Sequence, residues 1–422
     1  MLAINGGKKI GLVSDLSWPL SDSSTLTQLE SVLKSGRWAI SGQWKGGKTK
    51  CELFEEAYAK FNHINYCAAF DHGSSSLLAA MQGLGIGPGD EVIIPALTWV
   101  ACIISICNIN ATPVVVDIDP NTYCISPEEI RKAITPRTKA IMPVHLYGCM
   151  ADMHEIMKIA KENNLYVIED ASHSHGSVWE NRYAGSIGDV GCFSFQQGKV
   201  LTCGEGGAVI TSEKNLYDKL IEIRTNSRLY KEQKECTLEH MHLYESGKIL
   251  GTNYCISEFQ AAVLLDQLSK LENWNKIKED NAKYLDTELS KIDGVSTMYH
   301  DKRVDKQSYY RYCIKVDNRY FADKPVKRIC QALEAELGIV IEQPYPSLNK
   351  NVLYKPETLQ TYKWSEEYAK RIRLNNEAFP CAERAAFNEG VIFHHSYLLG
   401  NSQDMDRVVE AFAKVQKYAE EL

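Results

Sequence analysis

Seven short apolar runs set the terms on which this chain can fold. They are Tyr66–Phe70, Glu91–Pro95, Pro113–Asp117, Lys139–Val144, Leu165–Asp170, Val190–Phe195 and Ala208–Thr211. Runs that are apolar throughout, without polar alternation, read as strands covered on both faces. Helical stretches separate most of them: one through Leu84, one after Pro95, one from Pro127 and one from Met153. This alternation predicts an α/β fold built on a mostly parallel seven-stranded sheet flanked by helices. Between Val92 and Val116 no residue is charged. Pro95, Asn108, Asn110 and Pro113 interrupt that stretch, and its unbroken apolar part is too short to cross a bilayer. It reads as strand, turn, buried helix and strand.

The flanking segments read differently. Residues 1–25 are polar and Ser-rich, an N-terminal arm with Trp18-Pro19 as its anchor. A helix is expected from near Thr25 to Gly36, and an amphipathic one over Cys51–Asn62. Beyond Ser212 the pattern turns helical, passes a polar insertion at Lys231–Glu245, and enters a long helix from about Ser257 to Asn281. A smaller C-terminal α+β domain follows, with an alternating strand at Tyr309–Val316, a helix at Val326–Leu337, a Tyr/Pro loop at Pro344–Pro356, a strand at Gly390–Phe393 and a helix from Ser402. The expected organisation is an arm over 1–25, a large domain over 26–265 and a small domain over 266–422.

Bulk properties exclude several classes. The 422 residues carry a net charge of -7, which gives no electrostatic footprint for nucleic acid or an anionic membrane. The N-terminal residues lack the apolar core of a signal peptide. The thirteen cysteines are odd in number and scattered, without a C-x-x-C pair. Thiols within apolar runs fit a reducing cytoplasm better than a disulfide framework or a zinc site. No carboxylate or thiol stands at a matching ligand spacing from His173, His175 or the His394-His395 pair, so no metal is expected.

In sheets of this kind ligands sit beyond the C-terminal strand ends, and the chemistry-bearing residues gather there. Gly73-Ser74-Ser75 opens a helix after the first run and offers N–H groups and hydroxyls to a phosphate. Ser194 can add a hydroxyl from the opposite side. Trp99 follows the second run and His145 the fourth, while Asp170 and His173 follow the fifth. Lys199 lies between glycine-containing turns on a loop at the edge of the sheet. A lysine kept partly dry there has a lowered pKa and a nucleophilic amine. A lysine for a Schiff base and an Asp for a pyridinium nitrogen are what pyridoxal 5'-phosphate asks of a protein. Trp99 can stack on such a ring, and His173 can reach the ring or its 3′ oxygen. Displaced by an incoming amine, Lys199 becomes the base that moves the substrate proton.

These residues sit in motifs that resemble a known family. Gly73-Ser-Ser-Ser, Ala96-Leu-Thr-Trp, Pro143-Val-His-Leu-Tyr-Gly, Glu169-Asp-Ala-Ser-His-Ser-His-Gly, Gly188–Lys199, Gly204-Glu-Gly-Gly and Gly251–Ala262 resemble, in order, the DegT-type sugar aminotransferases, pyridoxal phosphate enzymes of fold type I. Arg37-Trp-Ala-Ile-Ser-Gly, Gln196-Gln-Gly-Lys-Val-Leu-Thr and Thr252-Asn-Tyr-Cys-Ile-Ser-Glu-Phe-Gln are most similar to the L-glutamine:2-deoxy-scyllo-inosose and scyllo-inosose aminotransferases of aminoglycoside pathways. The resemblance implies that Lys199 holds the cofactor, Asp170 pairs with its ring nitrogen and Trp99 stacks on it. It implies that Ser74, Ser75 and Ser194 hold the phosphate. It further implies a homodimer with shared active sites, Asn253 reaching the phosphate of the neighbouring subunit, and Tyr345 in a loop lining the cyclitol pocket. The implied reaction moves an amino group from L-glutamine to a keto-cyclitol.

Three stretches depart from the family pattern: His173 in place of the usual Gln, Asp71-His72 before Gly73, and Ile341-Glu-Gln-Pro before Tyr345. The alternatives left open are a nucleotide-linked keto-sugar acceptor with L-glutamate as donor, for which Arg228 and Lys231 would supply basic surface, and altered chemistry on the same fold.

Overall fold

Residues 1–374 and 377–422 are described by a computed structural model of the chain. In chain order the first elements are α1 (Ser23–Ser35), α2 (Lys50–Phe61), β1 (Tyr66–Phe70), α3 (Gly73–Gly83), β2 (Glu91–Pro95), α4 (Ala101–Asn108) and β3 (Thr112–Val116). Then come α5 (Pro127–Ala133), β4 (Thr138–Ile141), α6 (Met153–Asn163), β5 (Tyr166–Asp170), β6 (Val178–Trp179), β7 (Arg182–Tyr183), β8 (Val190–Ser194), β9 (Gly207–Thr211) and α7 (Lys214–Arg224). A hairpin of β10 (Arg228–Tyr230) and β11 (Leu243–Glu245) leads to α8 (Glu258–Leu289). The remainder holds β12 (Val295–Thr297), β13 (Val304–Lys306), β14 (Arg311–Val316), α9 (Val326–Leu337), β15 (Ile341–Glu342), α10 (Gln360–Trp364), α11 (Glu366–Ile372), α12 (Pro380–Arg384), β16 (Gly390–His394) and α13 (Ser402–Lys417).

The expected seven-stranded sheet is present, in the order β1-β9-β8-β5-β4-β2-β3. Strands β8, β5, β4, β2 and β3 pair in parallel. Only β9 is reversed, running antiparallel to both β1 and β8. That reversal follows from the short link: β8 and β9 are joined by a loop, not a helix, and a short loop can only return the chain antiparallel. Lys199 sits on this loop. It therefore lies beyond the end of two inner strands, not at a lateral edge of the sheet as the sequence suggested.

A four-stranded antiparallel sheet, β12-β14-β16-β15, forms the smaller layer. Helices α9 and α13 and the C-terminal part of α8 cover it, with Ala282, Leu285, Leu289, Leu333, Val408 and Phe412 in its core. The apolar spacing of α8 continues into this core, so the helix runs to Leu289 instead of ending near Asn281. Leu264 and Leu271 on the same helix belong to the large core. The border expected at 265/266 thus falls inside one continuous helix. Tyr368, Ile372, Phe379 and Ala385, which follow the small domain's first strands, pack into the large core. The arm is also fastened ahead of its anchor at Trp18. Leu2 is buried in the small core, and the Val13 N–H donates to Asp404 Oδ1 at 2.6 Å.

Sequence periodicity missed the shortest strands. β6 and β7 have two residues each and pair with β13 in a separate small sheet, too few to show alternation. The polar insertion at 231–245 proves to be the far half of the β10–β11 hairpin. Asp117 leaves β3 because its carboxylate accepts from the Cys381 and Ala382 N–H groups, both at 2.9 Å, at the start of α12.

Among the described residues no helix is long and apolar enough to cross a membrane, and no group of three or more His, Cys, Asp or Glu is placed to hold a metal ion.

Candidate active site

The C-terminal ends of the large-sheet strands face the small sheet across a cleft of about 560 Å³. Ser74, Trp99, Asp170, His173, Ser194, Lys199 and Tyr345 all line it. Ser75 lies next to Ser74 but is buried within α3. Asn253 is exposed and bonds locally, its Oδ1 accepting from the Cys255 N–H at 3.3 Å. Arg228 donates from Nε to the Thr225 carbonyl at 2.8 Å and points its Nη1 to Met241 Sδ. Neither Asn253 nor Arg228 is brought to this cleft within the chain. Lys231 lines a different hollow, about 690 Å³, between α7 and the β10–β11 hairpin.

Lys199 is 7% exposed. Its loop is fastened from several directions. The Lys199 N–H donates to the Gln196 carbonyl at 2.8 Å, and the Gly198 N–H to Gln196 Oε1 at 2.8 Å. Trp18 of the arm donates from Nε1 to the Gln197 carbonyl at 3.0 Å. His394 accepts the Ser396 N–H on Nδ1, so its Nε2 carries the proton and donates to the Gly198 carbonyl at 3.1 Å. The amine itself lies 4.2 Å from the centroid of the Tyr310 ring. Burial drives the Lys199 pKa below its ordinary value, against the opposing pull of Tyr310 and Asp170. An amine so placed is more readily neutral, and so nucleophilic, than a surface lysine.

Asp170 ends β5 and is 6% exposed. It accepts from the Ser172 N–H at 3.1 Å and from Cys102 Sγ at 3.2 Å. Burial and the neighbouring carboxylate push the Cys102 thiol well up, so it remains an S–H donor. Cys102, on α4 beneath the cleft, is a contributor that no sequence pattern singles out. Glu169 points the other way. It accepts from the Gly185, Ile187 and Gly188 N–H groups and from His145 Nε2. His145 thereby serves the interior of the fold, not the cleft.

His173 lies between two aromatic rings: Tyr310 at 4.1 Å between centroids and Tyr147 at 5.9 Å, both nearly parallel to it. Its Nδ1 accepts the Tyr147 N–H at 3.3 Å. Burial, followed by the charges of Lys199 and Arg311, holds its pKa well below the usual range. It is a neutral ring with its remaining proton on Nε2. Trp99 is 47% exposed and meets Tyr345 at 5.4 Å between centroids. The Tyr345 N–H donates to the Tyr147 hydroxyl at 2.8 Å.

The end of the cleft suited to a phosphate lies at a helix terminus. Reciprocal capping boxes close α1, α2, α8 and α13, whereas α3, like α4, α7 and α9, has no side-chain cap. The first N–H groups of α3 are therefore left for another acceptor. Ser74 and Ser194 line the cleft beside them. A Cβ at Gly73 would stand 2.6 Å from Ser194 Cβ, so only glycine lets this helix end approach β8. A buried amine, a carboxylate and an anion-accepting helix end in one cleft fit pyridoxal phosphate.

Behind the lysine loop lies a second buried amine. Lys278 on α8 is fully buried, and its Nζ has no hydrogen-bond partner among the described residues. It stands 5.2 Å from the Trp18 ring centroid. Burial pushes its pKa down to about 7. The unfolded chain therefore binds more protons than the folded one between about pH 7 and 10.5. Stability rises with pH across that window, and the penalty is complete below it. Lys278→Met is expected to raise stability by a few kcal/mol at pH 7, on the order of the pKa difference, and by much less at pH 10. Denaturant midpoints at the two pH values check this, and equal gains at both would count against it.

A reversed strand in a parallel sheet, with a dry lysine on the loop that reverses it, defines an α/β group-transfer enzyme whose site is suited to amine chemistry. The chain belongs to the DegT/DnrJ/EryC1/StrS aminotransferase family, whose profile matches residues 21–412; it is an aminotransferase. It is 39% identical over 421 residues to the L-glutamine:2-deoxy-scyllo-inosose aminotransferase of Streptoalloteichus tenebrarius, covering 100% of this chain and 99% of that one. The crystal structure of 3-amino-5-hydroxybenzoic acid synthase superposes with a TM-score of 0.79 at 27% identity, covering 97% of this chain and 100% of that one. A Bacillus subtilis protein, NtdA, solved with bound cofactor PMP, superposes with a TM-score of 0.72 at 26% identity, covering 93% and 81%.

Proposed function

We propose that this aminotransferase moves the amino group of L-glutamine to a ketone of a 2-deoxy-scyllo-inosose-like cyclitol, with pyridoxal phosphate held on Lys199. The observation that carries the reading is Lys199 and Asp170 lining one cleft with the uncapped end of α3. Pyridoxal phosphate, when bound, supplies an amino carrier and an electron sink. The chain's residues do the rest. Asp170 holds the proton on the ring nitrogen through a charge-assisted hydrogen bond. The N–H groups of the α3 N-terminus, that of Ser75 among them, and the Ser74 and Ser194 hydroxyls would hold the phosphate. Trp99 would stack on the ring, and neutral His173 would offer its Nε2 proton to it. Lys199 would be the base that removes the proton from the donor's Cα in one half-reaction and delivers a proton to the acceptor's carbon in the other.

A second copy of the chain completes the site in this reading. Trp38, Leu238, Met241, Tyr244 and Leu250 are exposed apolar side chains on and around the β10–β11 hairpin, a surface suited to burial between subunits. Asn253 is exposed beside them and is read as the partner's phosphate ligand. The thirteen cysteines are all free thiols, which supports a reducing cytoplasm. The acceptor class supports a role in aminoglycoside or related antibiotic biosynthesis.

The test is optical. Enzyme loaded with pyridoxal phosphate is expected to absorb near the visible edge, and L-glutamine is expected to bleach that band. Adding a keto-cyclitol should restore it. No response to glutamine or any other amino donor would refute the reading.

A further inference from the structure

Arg311 and Glu342 line the cleft from the small sheet, on the first residue of β14 and the last of β15. Both strands pair with β16, so one strand fixes both backbone positions. Arg311 Nη2 stands 4.0 Å from Glu342 Oε2, with the arginine side chain 20% exposed and the carboxylate 54%. No nearer charged partner for either side chain is present among the described residues. The guanidinium lies 5.1 Å from the Tyr310 centroid, the ring that the Lys199 amine also faces. Arg311 is thus one aromatic ring away from the reacting amine, and its acid partner is held loosely.

A transaminase pocket takes two substrates in turn, and here their charges differ. The amino donor carries an α-carboxylate. A keto-cyclitol carries only neutral hydroxyls. A lone guanidinium suits the first and is left unpaired beside the second, a costly state in a closed pocket. A partly exposed ion pair at this separation is weak, and a bidentate carboxylate contact can displace it. We infer that Glu342 sets the two-substrate specificity of the pocket: it yields Arg311 to the donor's α-carboxylate, then pairs with Arg311 and accepts a polyol hydroxyl when the cyclitol is bound. The inference rests on the transaminase reading above.

The experiment follows the two half-reactions separately in wild type, Glu342→Gln and Arg311→Gln, using L-glutamine and then scyllo-inosose. It adds calorimetric binding of glutarate, a carboxylate that cannot react. Removing the Glu342 charge removes a competitor and a repulsive neighbour. E342Q is expected to bind glutamine and glutarate about two- to fivefold more tightly and to raise the scyllo-inosose KM about tenfold or more. R311Q is expected to weaken glutamine and glutarate about tenfold or more. Opposite signs for the two substrates are the signature, since a structural defect would weaken both. Equal shifts in both half-reactions, or none beyond about twofold on the order of a surface-charge effect, would overturn the role of Glu342. If wild type gives no spectral response to glutamine, the transaminase reading fails by itself. Glutarate binding still decides whether Arg311 and Glu342 compete over a carboxylate.

Discussion

Lys199→Ala is expected to lower the transamination rate by about 10⁴-fold or more, beyond the span of an ordinary acid–base contribution. The size follows from two roles falling on one amine, holding the cofactor and moving the proton. Lys199→Arg is expected to do no better. A guanidinium keeps the charge but does not give up its proton near neutral pH. Neither variant should unfold the protein. Lys199 is 7% exposed and makes no ion pair among the described residues, and the loop is held by Trp18, Gln196 and His394 through main-chain contacts that the substitutions leave in place. Single-turnover rates and circular dichroism on the same samples check both halves. An activity within tenfold of wild type, small against the general-base range, would remove Lys199 from the chemistry.

Asp170→Asn is the second large effect. The amide has the same shape, and its oxygen can still accept from Cys102 Sγ and the Ser172 N–H. What disappears is the negative charge at the buried end of the cleft. Loss of one preorganised electrostatic partner costs about 10²–10³-fold in rate, and that is the fall expected in kcat. Cofactor affinity should drop less, because the phosphate end is held elsewhere, at the α3 N-terminus and Ser74. A larger change in affinity than in kcat would mean that Asp170 only anchors.

The large sheet was legible because its strands are apolar on both faces and are spaced by helices. Three of the seven, at Tyr66, Glu91 and Val190, begin on their expected residue, and the other four within one residue of it. The cleft's floor was legible for the same reason: Ser74, Trp99, Asp170, His173 and Lys199 follow directly from strand ends. Its roof was not. Tyr310, Arg311 and Glu342 come from the small sheet, more than a hundred residues along the chain, and no local pattern ties them to Lys199. Trp18 was read as an anchor, but its partner, the Gln197 carbonyl, is a main-chain atom that no side-chain pattern announces. Cys102 looked like any buried thiol until α4 placed it under Asp170. The family resemblance implies Asn253 at the neighbouring subunit's phosphate, and Arg228 stands as basic surface for a nucleotide-linked acceptor; within one chain neither lines this cleft.

The account stands on one covalent attachment point, and reduction with borohydride followed by peptide mapping tests it most directly. Protein incubated with pyridoxal phosphate, reduced and digested, is predicted to carry the cofactor's mass on Lys199 alone. A label on Lys278 or any other lysine in its place, or no label on protein that has bound the cofactor, would contradict it.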